Sequence, residues 1–513
     1  MILAAFRTFP TRELSAFSTH RYNVRKPMST ASERPNLLLI TTDQQRFDTI
    51  HAAGNQAIFT PHLNWLCDTG IRFSRAYADT PVCAPSRATI MTGLHAYHHG
   101  QTTNTSSTSP MARLPTLPGL LTRGGYQTRL IGKAHFHPVR ARYGFEHAEI
   151  LPDYYRWIAR QPNAAPPKDH GVGENEMEPV FSTTEERFTQ THWVVERAID
   201  FLETRDDTAP FFLWMSFGKP HPPFDPLARY WNLYDGIDMP EPVFGDWSRA
   251  PDAIPAGFMQ PTWHLNNAQR FSPAQLRAVR RAYYACITQI DYNLGLLFAR
   301  LREMRQQENT WIIFTSDHGE MLGDHHMGAK STFFEGSAHV PLLVRPPERL
   351  RDAQRQCGAV DDRLACLADV LPTLLSRAGL PRPERCDGLD LLGEHRRQLL
   401  LGESGPFHLA MDQRHKYTFA ANGGGELLFD LHHDPLEQRN LMPDAIADPS
   451  TPAGVALAEL RARLVESLRT RGHPAAASGI LAPTAPPPTP QLVRQNLWPG
   501  LHHRTDPNCD LLH

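Results

Sequence analysis

Residues 36–41 read Asn-Leu-Leu-Leu-Ile-Thr, a short and almost unbroken apolar run. A strand that is covered on both faces has no solvent-facing side, so its sequence shows a continuous apolar run instead of alternation. Similar runs follow at residues 128–131, 211–217, 311–315 and 341–344. Segments with helical periodicity separate them. This alternation predicts an α/β fold with a mainly parallel central sheet flanked by helices.

The helical segments carry end signals as well as periodicity. Ser272, followed three residues later by Gln275, predicts a capping box at the start of a long helix over 273–304. Residues 188–204 and 369–378 have apolar side chains at helical spacing, which predicts two further amphipathic helices.

The character of the sequence changes near residue 400. Residues 416–420 and 425–431 predict antiparallel strands, and an amphipathic helix then ends at Gly472. The predicted organisation is an N-terminal extension expected to be disordered (1–34), a main domain (35–399), a small α+β C-terminal subdomain (400–472), and a Pro-rich linker and tail (473–513).

The bulk composition excludes several classes of protein. Apolar residues make up 41% and charged residues 21%, which is typical of a globular protein. A formal net charge of -2 gives no field that would attract nucleic acid. No apolar run reaches the roughly 18 residues that a membrane span needs, so we expect neither a nucleic-acid nor a membrane partner. Seven widely spaced cysteines without a CxxC pair argue against a disulfide scaffold.

The first 27 residues are basic, with five Arg or Lys residues against one acid, Glu13. Two interpretations stay open: a targeting segment, or translation that starts at Met28. The apolar stretch at 1–6 is too short for the core of a secretory signal, so we expect a cytoplasmic location.

Polar residues with useful chemistry follow four of the predicted strands directly. Ligands of open α/β sheets bind beyond the carboxyl ends of the strands, so we expect these residues to share one site. In chain order they are Asp43 and Gln44, Lys133 and His135, His221, and Asp317 and His318, with Lys330 a little further on.

These residues form two chemical sets. Oxygen donors with one imidazole suit Ca²⁺, Mg²⁺ or Mn²⁺ better than a closed zinc site. Side chains that are cationic, or can become so, suit an anion whose charge is neutralised during transfer. The first set is Asp43, Gln44, Asp317 and His318; the second is Lys133, His135, His221 and Lys330.

Cys83 opens the segment Cys83-Ala84-Pro85-Ser86-Arg87, in which Pro85 ends the extended chain and a helix can begin. Unpaired N–H groups at a helix N-terminus favour negative charge and lower the pKa of a nearby thiol. On the residues alone, Cys83 is a candidate nucleophile, and an inert buried cysteine is the alternative.

This segment resembles the C-x-P-S-R signature of the type I, formylglycine-dependent sulfatases. Further blocks of that family occur in the same order between residues 35 and 445, and the resemblance implies an alkaline-phosphatase-like fold. The blocks are Thr60-Pro61-His62-Leu63, Gly70-Ile71-Arg72-Phe73, Gly132-Lys133-Ala134-His135, Pro220-His221-Pro222, Asp317-His318-Gly319, Lys330 with Glu335-Gly336, and Leu428-Phe429-Asp430-Leu431 with Asp434-Pro435.

The resemblance implies that a maturation enzyme converts Cys83 to formylglycine. The hydrated aldehyde would attack the sulfur of a small-molecule or sugar sulfate ester and expel the alcohol. One divalent cation, with Ca²⁺ expected before Mn²⁺ or Mg²⁺, would be bound by the first set above. The implied catalytic roles are Arg87 orienting the diol, Lys133 and Lys330 holding the sulfuryl oxygens, His135 taking a proton from the diol, and His221 or Lys330 protonating the leaving oxygen.

Two positions depart from the pattern of many members of that family. Gln44 replaces a second acid, and His318 replaces an Asn. This pair resembles the phosphonate monoester and phosphodiester hydrolases of the same family, so that activity is an alternative to sulfate hydrolysis. An alternative of another class is an unmatured chain that keeps Cys83 as a thiol and binds anions without turnover.

Several segments have no role fixed by these motifs. Residues 150–185 and 222–270 are long and rich in Pro, Trp and Tyr, and we expect them to wall the substrate pocket. Residues 324–326, Asp-His-His, either support the site or form a polar loop. Two interpretations stay open for the last twenty or so residues, which contain Trp498 and Leu501: they dock onto a second subunit and form a homo-oligomer, or they are disordered.

Overall fold

The computed structural model describes residues 34–104, 109–167, 169–258, 268–351 and 357–484. Almost all of the expected N-terminal extension, and the tail beyond residue 484, lie outside these ranges.

Fourteen strands lie within the described ranges. They are β1 (Asn36–Asp43), β2 (Ile71–Phe73), β3 (Ala76–Tyr77), β4 (Gln127–Gly132), β5 (His147–Ile150), β6 (Phe211–Pro220), β7 (Thr310–Ser316), β8 (Leu342–Arg345), β9 (Ala359–Asp361), β10 (Ala365–Cys366), β11 (Leu400–Ser404), β12 (Phe407–Met411), β13 (His415–Ala420) and β14 (Gly425–Asp430).

The same ranges contain thirteen α-helices, and not one of the described helices has the length and hydropathy needed to cross a bilayer. They are α1 (Pro61–Thr69), α2 (Cys83–Thr92), α3 (Ala96–His99), α4 (Leu117–Arg123), α5 (Leu151–Ile158), α6 (Gln190–Thr204), α7 (Ala228–Asn232), α8 (Pro273–Glu303), α9 (Glu335–Ala338), α10 (Glu348–Arg351), α11 (Val370–Arg377), α12 (Met442–Ala447) and α13 (Pro452–Thr470).

The central sheet has eight strands in the order β5-β4-β6-β1-β7-β8-β2-β9. Strands β5, β4, β6, β1 and β7 pair in parallel with one another in this order, while β8 is antiparallel to both β7 and β2. The predicted α/β class with a mainly parallel central sheet is therefore confirmed. The predicted capping box is also present, because Ser272 and Gln275 bond reciprocally at the start of α8.

Helices cover both faces of this sheet, which explains the unbroken apolar run in β1. Leu37 and Leu39 point into a core shared with α2, α4 and α11. Leu38 and Ile40 point to the opposite face, where α1, α6 and α8 pack. All four side chains are buried, so neither face of β1 needs a polar residue until the strand ends at Asp43.

The C-terminal subdomain is an antiparallel sheet of β11, β12, β13 and β14 with two helices on one side, as the predicted α+β class requires. One face of the sheet packs against the main domain, and the other carries α12 and α13. Residues 474–484 lie against the same subdomain, where Ala475 and Ala476 are buried and the backbone N–H of Thr484 donates to Ala421 at 2.7 Å.

Candidate active site

The four strands whose ends carry the polar residues are neighbours, in the order β4, β6, β1, β7. They run in parallel, so their carboxyl ends meet at one edge of the sheet. This placement brings Lys133, His221, Asp43 and Asp317 to a common site, where Cys83 and Lys330 join them.

The end of β4 requires a glycine. Gly132 has a φ of 108°, and a Cβ there would overlap the backbone carbonyl of Ser216 on β6. The close approach lets the backbone N–H of Lys133 donate to that carbonyl at 2.8 Å. Lys133 is therefore anchored above β6, and its ammonium lies 2.7 Å from the Oδ2 atom of Asp43.

Cys83 is the first residue of α2 and is buried at the centre of the site. Its Sγ atom lies 3.1 Å from the Nε2 atom of His318, 3.5 Å from the Nζ atom of Lys330 and 3.8 Å from the Oδ1 atom of Asp43. Asn104 accepts a hydrogen bond from the next backbone N–H of the helix, that of Ala84, at 3.1 Å. The expected position of Cys83 at a helix N-terminus is thus observed.

The surroundings of Cys83 favour its anionic form. Burial and the charge of Asp43 raise the pKa of the thiol, but Lys330, Lys133 and His318 together hold it well below its ordinary value of 9.0. A buried cysteine with a lowered pKa is distinct from an inert core cysteine such as Cys286, whose pKa burial raises to about 12.

The two carboxylate oxygens of each aspartate have different partners. The Oδ2 atoms accept from Arg87, at 3.1 Å for Asp43 and 3.0 Å for Asp317. The Oδ1 atoms face the other way, toward the Nε2 atom of His318, at 3.9 Å and 3.7 Å respectively. Arg87 also donates to the backbone carbonyl of Lys133 and the hydroxyl of Ser216, both at 2.6 Å, and it is fully buried. Its guanidinium therefore fixes the direction in which both carboxylates point.

The ring of His318 is oriented by the backbone of the next residue. The Nδ1 atom lies 2.9 Å from the carbonyl of Gly319, which can only accept a hydrogen bond, so Nδ1 carries a proton and Nε2 faces the aspartates. One atom each of Asp43, Cys83, Asp317 and His318 lies within 4.8 Å of all the others. Two hard oxygens and one imidazole that converge in a buried space fit a divalent cation.

Gln44 presents a neutral oxygen to Lys330, which in turn contacts Cys83. Its backbone has a φ of 73°, a conformation that is strained for a residue with a side chain. In this conformation the N–H of Gln44 donates to Asp317 at 3.1 Å, while its Oε1 atom accepts from Lys330 at 2.7 Å. Asp43, Asp317 and His318 therefore converge, and Gln44 adjoins them through Asp317 and Lys330, while the ligand role of each stays a prediction.

The charges of the site act unequally on the two aspartates. Burial raises the pKa of Asp43, but Lys133, His221 and Arg87 together hold it well below its ordinary value. Burial and the negative charge of Asp43 raise the pKa of Asp317 to about 6. The two carboxylates repel each other across the site, which is the electrostatic condition that a divalent cation relieves.

His221 follows β6 and is also fixed by its backbone, with Nδ1 at 2.9 Å from the carbonyl of Pro222. Burial, Lys330 and Lys133 lower the pKa of this imidazole well below its ordinary value. Asp225, four residues on, pairs with Lys219, and it lies 3.3 Å from the Nε2 atom of His170. The segment over 150–185 thus reaches the loop of His221 through His170, and its role as a wall of the substrate pocket stays a prediction.

His135 lies two residues after Lys133, in a left-handed backbone conformation with a φ of 54°. Its ring is half-buried, and the ring centroid lies 6.2 Å from that of His137. Its predicted role as a proton acceptor stays a prediction.

Sequence reasoning missed three residues of the site, namely Ser216, Asn104 and Glu320. Ser216 lay hidden inside an apolar strand, and Asn104 in a polar loop without any motif. Glu320 is fully buried, and its carboxylate accepts from the side-chain amide of Gln44. A signal for Glu320 was present, since it directly follows the block Asp317-His318-Gly319.

The loop at 324–326 has a structural role. Asp324 pairs with Arg46 at 2.7 Å and with Arg280 at 2.5 Å. The ring of His325 lies 2.8 Å from the hydroxyl of Ser248. These contacts brace the loop after β7 against α8 and against the segment over 222–270.

Comparison with known proteins gives consistent matches. A family model described as Sulfatase matches residues 35–380. The chain is 33% identical over 442 residues to an arylsulfatase of Clostridium perfringens, covering 80% of this chain and 90% of that protein. It is 29% identical over 443 residues to a choline-sulfatase of Rhizobium meliloti, covering 80% and 82% respectively. The structure is similar to that of a phosphonate monoester hydrolase of Agrobacterium radiobacter, with a TM-score of 0.70, 28% identity, and coverage of 85% of this chain and 96% of that one.

Proposed function

Since the chain belongs to the sulfatase family and is a sulfuric ester hydrolase, we propose that Cys83, as formylglycine, supplies the nucleophile for cleavage of a sulfate monoester. The observation that carries this proposal is the position of Cys83. Its side chain lies at the start of α2, within 4.8 Å of ligand atoms from Asp43, Asp317 and His318. A cysteine without a catalytic role would not be expected at the point where the ends of four strands converge.

The residues around Cys83 fit a divalent cation, which we propose is held by Asp43, Gln44, Asp317 and His318. When bound, the cation and the formyl group supply an acidified hydroxyl nucleophile and a positive charge next to the sulfuryl oxygens. Arg87 keeps the two carboxylates directed at this point and offsets their charge.

Lys133 and Lys330 would hold the sulfuryl oxygens. Both ammonium groups are nearly buried, so their attraction for an anion is little weakened by water. Lys330 lies 3.5 Å from the Sγ atom of Cys83, which places one of its protons beside the reacting centre. The two lysines therefore bind the sulfate group and stabilise the charge that develops during its transfer.

Proton transfer completes the reaction. The bond between sulfur and the alcohol oxygen would break as a bond forms between sulfur and a hydroxyl of hydrated residue 83, and the alcohol oxygen would take a proton from His221 or Lys330. Sulfate would then leave with that hydroxyl oxygen as its bond to the carbon of residue 83 breaks, and water would hydrate the restored aldehyde. His221 has a lowered pKa because it is buried and because Lys330 and Lys133 are positive and nearby. A bound sulfate ester brings negative charge between these groups, and this raises the affinity of His221 for a proton. His135 would accept the proton that releases sulfate.

Phosphonate monoester hydrolysis is the second candidate. Gln44 and His318 are neutral ligands, so the proposed cation meets only two carboxylates, those of Asp43 and Asp317. An amide and an imidazole favour Mn²⁺ over Ca²⁺ relative to an all-acid set. The similarity to a phosphonate monoester hydrolase supports this alternative.

The deciding experiment compares matched aryl sulfate and aryl phosphonate monoester substrates with matured protein, first with Ca²⁺ and then with Mn²⁺. A value of kcat/KM that favours the sulfate by orders of magnitude supports the main proposal. A preference for the phosphonate, strongest with Mn²⁺, would replace it with the second candidate. The Cys83→Ala variant provides the background rate for both substrates.

Maturation is tested separately, because an unmatured chain would only bind anions. We propose that a formylglycine-generating enzyme of the host acts on Cys83, and mass analysis of the Cys83 peptide would detect the formyl group. An unmodified thiol in the whole population would leave the anion-binding alternative. The cytoplasmic location and the homo-oligomer formed through the tail stay predictions, which cell fractionation and light scattering of the full chain would test.

A further inference from the structure

Glu320 is a fully buried carboxylate beside the proposed cation site, and it has no part in the mechanism above. Its Oε1 atom accepts from the backbone N–H groups of Leu322 at 3.1 Å and Ala329 at 2.5 Å. Its Oε2 atom accepts from the Nε2 atom of Gln44. All of these contacts come from donors, so the ionised carboxylate satisfies them without a proton of its own.

Gln44 lies between Glu320 and Lys330. One neighbour requires a hydrogen-bond donor from its carboxamide, and the other requires an acceptor. A carboxylate can only accept hydrogen bonds, and an ammonium group can only donate them. The amide N–H₂ therefore faces Glu320, and the carbonyl oxygen faces Lys330 at 2.7 Å. Rotation of the amide by half a turn would place donor against donor on one side and acceptor against acceptor on the other.

We propose that Glu320 is a positioning residue, which holds the Gln44 carboxamide so that its oxygen, and not its nitrogen, faces the cation. This inference rests on the proposed function, because it requires a cation at the site. The lone pair of an amide nitrogen is delocalised into the carbonyl group and is not available to a metal ion, so an unfixed carboxamide would be a poor ligand.

The same contact explains why residue 44 is an amide. An acid at this position would set a second carboxylate directly against the buried Glu320, with no hydrogen between them. Gln44 and Glu320 thus form a matched pair: one member is neutral and next to the cation, and the other is charged and behind it. The pair keeps the charge of the ligand shell low while it retains an oxygen donor.

The test is the Glu320→Gln variant. Its Oε1 atom would keep the two backbone N–H groups, so an N–H₂ group would replace Oε2 and face the N–H₂ group of Gln44. Two donors in contact would remove the hydrogen bond that holds the Gln44 carboxamide, and turning the amide over would set its nitrogen against Lys330, so neither orientation satisfies both neighbours and the oxygen is no longer held toward the cation. We expect the dissociation constant for Mn²⁺, measured by electron paramagnetic resonance titration of the full-length protein, to rise about 10- to 100-fold.

A double variant, Gln44→Glu with Glu320→Gln, exchanges the members of the pair. The carboxylate introduced at position 44 accepts from the amide introduced at position 320 and still presents an oxygen to the cation, so the dissociation constant should return to the wild-type value or below it. The Glu437→Gln variant is the matched control, because it also removes a buried carboxylate but lies outside the site, and it should leave Mn²⁺ binding unchanged. Thermal unfolding of each variant confirms that it folds.

The outcomes separate this inference from the proposed function. A wild-type protein that binds Mn²⁺, with a Glu320→Gln variant that binds equally tightly, would overturn the inference and leave the proposed function intact. A double variant as weak as Glu320→Gln would do the same. A wild-type protein that binds neither Mn²⁺ nor Ca²⁺ would overturn both.

Discussion

This molecule contains two clusters of buried charged residues of similar composition, and the two clusters have different roles. The catalytic cluster is Asp43, Arg87, Lys133, Asp317 and His318; the C-terminal cluster is Glu335, His339, Lys416 and Glu437. Each contains two carboxylates, at least one cation and a histidine, and each is almost dry. They differ in where the carboxylate oxygens point.

Every carboxylate oxygen of the C-terminal cluster meets a donor from the protein. Lys416 lies between the two glutamates and also donates to the carbonyl of Phe333 at 2.9 Å. The second oxygen of Glu335 contacts His339, and the second oxygen of Glu437 accepts from the backbone N–H of Glu335 at 2.7 Å. We call such a cluster closed, because no carboxylate oxygen is left for a ligand. It links the C-terminal subdomain to α9.

The catalytic cluster is open, because some of its carboxylate oxygens face a space that a cation could occupy. Arg87 and Lys133 occupy the Oδ2 atoms, while the Oδ1 atoms of Asp43 and Asp317 converge with His318 on a shared space. The comparison teaches that burial of charge alone does not distinguish a structural cluster from a reactive one. The direction of the Oδ1 atoms does, because a cation can bind only where acceptor atoms converge, and these atoms converge with His318 even though that of Asp317 also accepts from the backbone N–H of Gln44.

The largest expected effect is on the nucleophile of the catalytic cluster. Cys83→Ala should lower kcat for an aryl sulfate by about 10⁴-fold or more, because alanine can carry neither thiol nor formyl group. The free energy of unfolding should change little, since alanine suits the first turn of α2. Steady-state kinetics and urea unfolding measure the two quantities. A variant that keeps most of its turnover would show that Cys83 is not the nucleophile.

The closed cluster should respond in stability instead. Lys416→Met leaves Glu335 and Glu437 buried without their shared cation, so we expect a loss of about 3–5 kcal/mol in the free energy of unfolding. Urea denaturation measures this loss. The triple variant that adds Glu335→Gln and Glu437→Gln removes the uncompensated charge and should recover much of it. Equal stability of the single variant and the wild type would mean that the cluster is not a structural tie.

Lys133 belongs to the open cluster, and its loss should appear in the kinetics. Lys133→Met should lower kcat/KM for an aryl sulfate by about 10²-fold, because one buried cation no longer faces the sulfuryl oxygens. Lys133→Arg keeps the charge but not the reach of the ammonium, and it should fall between wild type and Lys133→Met. If both variants match the wild type in kcat/KM, Lys133 serves only to pair with Asp43.

Local sequence predicted the position of most central strands. It could not predict features of the fold that depend on contacts between distant segments. The apolar runs located β1, β4, β6, β7 and β8 to within a few residues, because burial on both faces leaves an unambiguous pattern. The order of the strands, and the antiparallel direction of β8, depend on contacts between distant segments, which periodicity does not record. The short strands β11 and β12 gave no separate signal.

The residues of the site also separate into those that the sequence predicts and those that it does not. Residues at strand ends could be assigned to one edge by topology, so Asp43, Lys133, His221 and Asp317 were found from the sequence. Glu320 was not, although it follows the same motif, because only the path of the loop decides whether its side chain turns inward. Lys416 and Glu437 were equally hidden, since their contact joins a strand with a loop.

The smallest expected effect, when counted per pH unit, is the pH dependence of stability that arises from the closed cluster. Burial and the charge of Glu335 raise the pKa of Glu437 to about 7. Burial also acts to raise the pKa of Glu335, but Lys416 and His339 hold it at about 2. Both glutamates have an ordinary value of 4.5, so between about pH 4.5 and 7 the folded protein keeps a proton on Glu437 that the unfolded chain has lost.

The stabilising contribution of protonated Glu437 is therefore complete below about pH 4.5 and is lost as the pH rises through about 7. Glu335 acts in the opposite direction and in a separate window, because its contribution is lost only as the pH falls from about 4.5 toward 2. The Glu437→Gln variant cannot titrate at this position. The free energy of unfolding of the wild type minus that of the variant should thus decrease by up to about 1.4 kcal/mol per pH unit between pH 4.5 and 7. A difference that stays flat across this window in urea titrations would mean that Lys416 keeps both glutamates ionised, and that the C-terminal cluster is closed to protons as well as to ligands.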